Sequence, residues 1–130
     1  MIVLDASALL DILLNTPAAP GILARIFADE ETLHAPYLLD IEIAQVLRRY
    51  SFSGDLTAER GREALDFFAL MPITRYPHEP LLPRIWDLRH NVTAYDAAYV
   101  ALAEALAAPL VTRDKALAAS AGHRAKIELV

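Results

Sequence analysis

The chain has 130 residues and net charge −5, a size that suits one domain over residues 1–130, able to bury about two thirds of its unfolded surface without metal or disulfide staples. No cysteine is present, which removes a disulfide framework or a thiolate metal site and is compatible with a cytoplasmic location. The acidic balance, with a pI near 5.3, argues against gripping nucleic acid through overall basicity, so any such binding is expected to be local or metal-assisted.

Hydrophobic residues make up 55% and mean hydropathy is +0.30, but the longest apolar run, Ala97 to Ala103, falls well short of the roughly 18 residues of a membrane span. Met1 leads straight into "IVLD" without a basic region or a small-residue cleavage site, so no signal peptide is expected. "MIVLD" is a continuous apolar run ending in a carboxylate, the pattern of a strand buried on both faces. "SALLDILLN" reads as a short helix, and Pro20 to Glu30 as another with the proline in its first turn. "TLHA" is a strand, followed by a helix opening at Pro36 and running through "LLDIEIAQVLRRY". Ser53-Gly54-Asp55 is a turn. Thr57 caps a helix that Pro72 stops after Met71. "ITRY" is a strand, Pro77, Pro80 and Pro83 break the chain, and "RIWDLRH" is a short helix. A helix starts at Thr93, followed by the strand "LVT", a helix from Asp114 to Ser120 and a last strand "KIELV". Strands separated by helices imply an α/β fold: a central parallel sheet of about five strands with helices on both faces and ligands at the carboxyl ends of the strands.

The acids fall where that rule puts chemistry. Asp5 ends the first strand, Asp114 follows "LVT", Asp96 opens a helix and Glu42 lies early in the helix from Pro36. Each also has a plainer explanation. Asp5 or Ser7 can cap the first helix, and Asp114 can cap the one after "LVT". Asp96 heads the stripe Val100, Ala103, Ala107 of a helix apolar nearly all round, yet Thr93 three residues earlier makes a capping-box variant available. Glu42 borders the apolar face Leu39, Ile43, Val46, Tyr50, while Asp40 sits at the opposite border beside Leu47, and periodicity does not choose between them. The arginines Arg48, Arg49, Arg60, Arg62, Arg84 and Arg89 read mostly as ordinary solvated helix faces.

Four stretches choose together. "MIVLDASALL" with Asp5 and Ser7, "APYLLDIEIAQVLRR" with Glu42, "TAYDAAYVALAEAL" with Asp96, and "APLVTRDKAL" with Thr112 and Asp114 resemble, in order and spacing over the whole chain, the PIN-domain ribonucleases, specifically the VapC-type toxins of bacterial toxin–antitoxin pairs. The resemblance implies a PIN-like fold and a catalytic, metal-binding cluster of Asp5, Glu42, Asp96 and Asp114, with Ser7 and Thr112 as polar neighbours and Asp40 outside it. It also implies an RNA substrate, a cognate VapB-type antitoxin and a homodimer. The candidate interfaces are the Pro72 to Arg89 region and the "AQVLRRYSF" helix, unless Tyr50, Phe52 and Trp86 are core residues.

The chemistry agrees with that set. Hard oxygen ligands without His or Cys select Mg²⁺ or Mn²⁺, and such ions activate water and stabilise the leaving oxygen of an in-line phosphodiester displacement. A dehalogenase-type phosphatase would need Asp-x-Asp after the first strand, where this chain has Asp5-Ala6-Ser7. A receiver domain would need a phosphorylatable Asp on the middle strand, and "ITRY" has none. A catalytically silent PIN-fold module that binds RNA or an antitoxin is the remaining alternative, against which the intact acid set speaks.

Overall fold

The structure, a computed structural model, describes residues 1–130. Strand β1 (Ile2–Leu4) is followed by helices α1 (Ala6–Leu13) and α2 (Ala19–Ile26), then strand β2 (Leu33–Pro36). Helices α3 (Leu38–Ser53) and α4 (Ala58–Leu70) lead to β3 (Ile73–Tyr76). Helices α5 (Leu82–Asp87) and α6 (Ala94–Leu106) return the chain to β4 (Leu110–Thr112), and the short α7 (Lys115–Ala118) precedes β5 (Ile127–Leu129). The strands form one parallel sheet in the order β3-β2-β1-β4-β5, as the alternation of elements predicts.

That order fixes the layers. From β1 to β2 to β3 the chain steps outward in one direction; from β3 it returns past β1 to β4 and continues to β5. Right-handed crossovers then place α1 to α4 on one face and α5 to α7 on the other. The packing agrees: α1 lies against α2, α3 and α4, whereas α6 covers β1, β2 and β4 with α5 on its side. The strand order reverses between β1 and β4, and at such a switch point the helices diverge and leave a crevice at the carboxyl edge.

Burial explains why the central elements read so clearly. All of β1, β2 and β4 is buried, and so is every residue of α6 from Ala97 to Ala103. A 30-residue apolar cluster joins them through Ile2, Leu4, Leu9, Ile43, Tyr99 and Leu110. The small side chains of α6 let it lie close to the sheet.

Several expectations need correction. The helix expected to open at Pro36 begins at Leu38, because Pro36 is the last residue of β2 and stands in register with Tyr76; at the end of the strand its missing N–H leaves no ladder bond unmade. The helix from Pro20 ends at Ile26 rather than Glu30, because Asp29 and Glu30 take φ of 53° and 55°, which closes a short turn instead. Helix α5 starts earlier than "RIWDLRH", with Pro83 in its first turn, where no N–H partner is needed. On α3 the buried ridge is Leu39, Ile43 and Leu47, not the stripe ending in Val46 and Tyr50. Phe52 and Trp86 are 77% and 67% exposed, so the alternative that they are core residues fails.

Candidate active site

Asp5 follows β1 directly and stands beside β4 at the switch point, where its N–H bonds to the Val111 carbonyl. It occupies the N-cap position of α1, yet its carboxylate accepts no backbone N–H of that helix, so capping does not account for it. Its Oδ2 instead accepts from the Ser7 and Thr112 hydroxyls, each at 2.7 Å. Both hydroxyls are themselves held by backbone: Ser7 Oγ accepts the Arg113 N–H at 2.9 Å and Thr112 Oγ1 accepts the Asp114 N–H at 3.0 Å. Thr112 is fully buried and Asp5 nearly so. The clamp fixes the carboxylate and leaves Oδ1 without a protein donor.

Glu42 lies in the second turn of α3, half-buried, and its Oε1 accepts from the Tyr99 hydroxyl at 2.6 Å. Tyr99 sits one turn beyond Asp96 on α6, so this bond ties the two helices together. Burial pushes the Glu42 carboxyl above its ordinary range against the Tyr99 hydrogen bond, and the negative charges of Asp5 and Asp96 push the same way. Asp40 is elsewhere, paired with Arg75 at 2.7 Å. The choice that periodicity leaves open thus falls on Glu42.

Asp96 is the third residue of α6. Thr93 is a true N-cap, its hydroxyl accepting the Asp96 N–H at 3.2 Å, but the Asp96 carboxylate makes no return bond to the Thr93 N–H, so only half of the capping box forms. Burial raises the Asp96 carboxyl, and Asp5 and Asp114 raise it further. Asp114 does cap its helix, Oδ1 accepting from Ala116 and Leu117 at 2.8 and 3.1 Å. Its Oδ2 is left over.

All four acids line one open cleft of about 620 Å³, together with Ser7, Arg49 and Arg113; Thr112 lies buried beneath it. No three His, Cys, Asp or Glu side chains stand close enough to enclose an ion unaided. The free oxygens of Asp5 and Asp114, the raised carboxyls of Glu42 and Asp96 and the open volume fit an ion that keeps much of its water and takes only a few carboxylates. Mg²⁺ and Mn²⁺ are such ions.

Comparison with known proteins agrees with this geometry. Residues 2–122 match the family described as the PIN domain. Over 129 residues the chain is 46% identical to Ribonuclease VapC1 of Mycobacterium tuberculosis, covering 98% of this chain and 96% of the relative. Ribonuclease VapC12 of the same organism is 42% identical over 100% of this chain and 99% of its own. The chain is a PIN domain of the VapC type. Its fold is shared with PAE2754 from Pyrobaculum aerophilum, with a TM-score of 0.69 at 23% identity over 97% of this chain and 81% of that one. It is shared also with VapBC2 from Rickettsia felis bound to a DNA fragment from their promoter, with a TM-score of 0.65 at 14% identity over 99% and 98%.

In this PIN domain three cleft features are not assigned to the site from sequence. Arg49 lies on the same face of α3 as Glu42 and Val46, a spacing of two helical turns that pattern can detect. Arg113 follows β4 at the same edge as Asp114 and pairs with Asp11 at 2.9 Å. Tyr99 reads as core, and it is core, being 1% exposed; only the fold shows that its hydroxyl reaches Glu42.

Proposed function

We propose that this PIN domain is a metal-dependent endoribonuclease toxin that hydrolyses RNA phosphodiester bonds and is neutralised by a cognate VapB-type antitoxin. The observation that carries the reading is the convergence of Asp5, Glu42, Asp96 and Asp114, from four distant stretches of chain, on one open cleft at the switch point of the sheet. Relatives of similar length that bear the name ribonuclease support the activity. In the proposed assignment Asp5 and Asp96 hold Mg²⁺ or Mn²⁺, with Glu42 and Asp114 as further ligands directly or through water. When bound, the metal supplies charge neutralisation of the scissile phosphate and activation of the attacking water.

The rest falls to the chain itself. Ser7 and Thr112 orient Asp5 by holding one of its oxygens. The Tyr99 hydroxyl favours the charged form of Glu42 against the burial that opposes it, and the start of α6 adds a favourable dipole for the Asp96 charge. Arg49 offers a cation to the RNA backbone at the rim.

An antitoxin that places an arginine among these carboxylates would pair with them bidentately and could not lose its charge there. The exposed Phe52 on α3 and Leu82 and Trp86 on α5 are the surfaces we assign to a homodimer or to that partner. Purified protein is expected to cleave single-stranded or loop RNA with Mg²⁺ or Mn²⁺ and not with Ca²⁺ alone, whose looser coordination binds without organising the displacement. Cleavage that persists in excess EDTA would defeat the proposal. Growth arrest on expression is expected to be relieved by the neighbouring gene, and an Asp96→Asn variant as toxic as the wild type would place the site elsewhere.

A further inference from the structure

Asp96 lines two clefts, not one. The second, of about 450 Å³, is formed by Arg89, His90, Asn91, Thr93 and Ser120. Its chemistry is the reverse of the first: Asp96, on the shared wall, is its only carboxylate, and the other polar groups are cationic, titratable or neutral.

Arg89 stands out by its place on the wall of a cleft that shares Asp96. Arg25 pairs with Glu128, Arg75 with Asp40, Arg84 and Arg124 with Glu104, and Arg113 with Asp11. Arg89, like Arg48, Arg49 and Arg60, has no carboxylate partner, but of these only Arg49 and Arg89 line a cleft that Asp96 also lines. The Arg89 guanidinium lies over the Trp86 ring at 4.6 Å and donates to the Trp86 carbonyl at 2.9 Å, contacts that hold the group in place without neutralising it. Each of the two clefts that share Asp96 is therefore lined by one uncompensated arginine, in a chain of net charge −5.

We infer that the RNA strand runs through both clefts, with Arg89 gripping a phosphate that flanks the scissile one and Asn91, Thr93 and Ser120 meeting the adjoining sugar or base. An acid-lined centre repels the phosphates to either side of the one being cleaved, so strand binding requires cations placed just beyond it, and those are Arg49 in one cleft and Arg89 in the other. The neutral donors and acceptors of the second cleft suit the 2′-hydroxyl and base edges of an unpaired nucleotide. This inference rests on the nuclease reading of the Asp96 centre.

The test is the salt dependence of binding. A short, labelled, single-stranded oligoribonucleotide of random sequence is titrated with the full-length protein in Ca²⁺ and followed by fluorescence anisotropy. Wild type is compared with Arg89→Gln and with Arg62→Gln, which makes the same charge change at an exposed intrahelical pair that lines neither cleft. Loss of one phosphate contact lowers the slope of log K against log salt by about 0.7 for a single strand, or about fivefold in affinity between 1 M and 0.1 M salt. Arg89→Gln is expected to show that loss and Arg62→Gln to keep the wild-type slope, while Arg89→Lys restores most of it. Equal slopes for the two glutamine variants, in a protein that still cleaves RNA, would overturn the second cleft alone. Wild-type protein that neither cleaves nor binds RNA would overturn the nuclease reading and this inference with it.

Discussion

Tyr99→Phe removes one oxygen and almost nothing else. The ring is 1% exposed and Phe fills the same volume, so no cavity term arises. What disappears is the 2.6 Å bond to Glu42. A hydrogen bond to a charged group contributes about 1.5–3 kcal/mol, and because Glu42 is only half-buried, water replaces part of it, which points to the low end, about 1.5 kcal/mol. For a chain of this size that is roughly 6 °C in Tm.

The pH dependence carries the sharper test. The Tyr99 bond lowers the folded pKa of Glu42 against the burial that raises it; without the bond the folded pKa rises further. A raised acid pKa costs stability above that pKa and nothing below the unfolded value of about 4.3. The destabilisation is therefore expected in full near pH 8, fading as pH falls through the folded pKa of Glu42. Urea melts in EDTA across that range measure it. A loss of the same size at both ends, or none near pH 8, would refute the view that Tyr99 acts on the Glu42 charge.

Other changes separate capping from catalysis. In EDTA near neutral pH, Asp96→Asn is expected to melt at or above the wild type, because the raised Asp96 carboxyl carries a cost when ionised while Asn still offers its N–H to Thr93. Mn²⁺ at a hundredfold excess over Kd should add about 2.7 kcal/mol to the wild type and much less to the variant; equal shifts, with the variant less stable in EDTA, would return Asp96 to the role of a helix cap. Asp114→Asn is expected to keep the cap of α7 and its stability within a few tenths of a kcal/mol, whereas Asp114→Ala loses about 1 kcal/mol; both should lose RNA cleavage, and an active Asp114→Asn would remove Asp114 from the centre. Gly122→Ala is expected to cost about 1 kcal/mol or more by thermal melting, since Gly122 has φ of +86° and a Cβ there would stand 2.6 Å from Asn91 Oδ1; wild-type stability would show that the contact gives way freely.

The parts of the fold that sequence reveals are those where local and long-range demands agree. β1, β4 and the middle of α6 are buried all round, so their apolar runs survive into structure unchanged. Pro36 misleads because a proline fits both a strand end and a helix start, and only the neighbouring strand decides between them. At the site, the edge of the sheet on which the acids gather follows from element order alone, but Glu42 and Asp40 flank the same ridge of α3 and differ only in what faces them: Tyr99 in one case, Arg75 in the other. Arg49 and Arg89 resemble solvated arginines in sequence because what distinguishes them is the cleft each one lines, which only the assembled fold brings together.

Thr112 connects the two sides of the site. One hydroxyl donates to the Asp5 carboxylate and accepts the backbone N–H of Asp114, so a single oxygen links one carboxylate to the backbone that carries another, distant in sequence. In evolutionary terms such a position has a narrow alphabet. Serine preserves both links, whereas valine, the same shape without the oxygen, severs both at once while leaving the sheet packed. If the proposed nuclease reading holds, one substitution there silences the site while the protein stays folded.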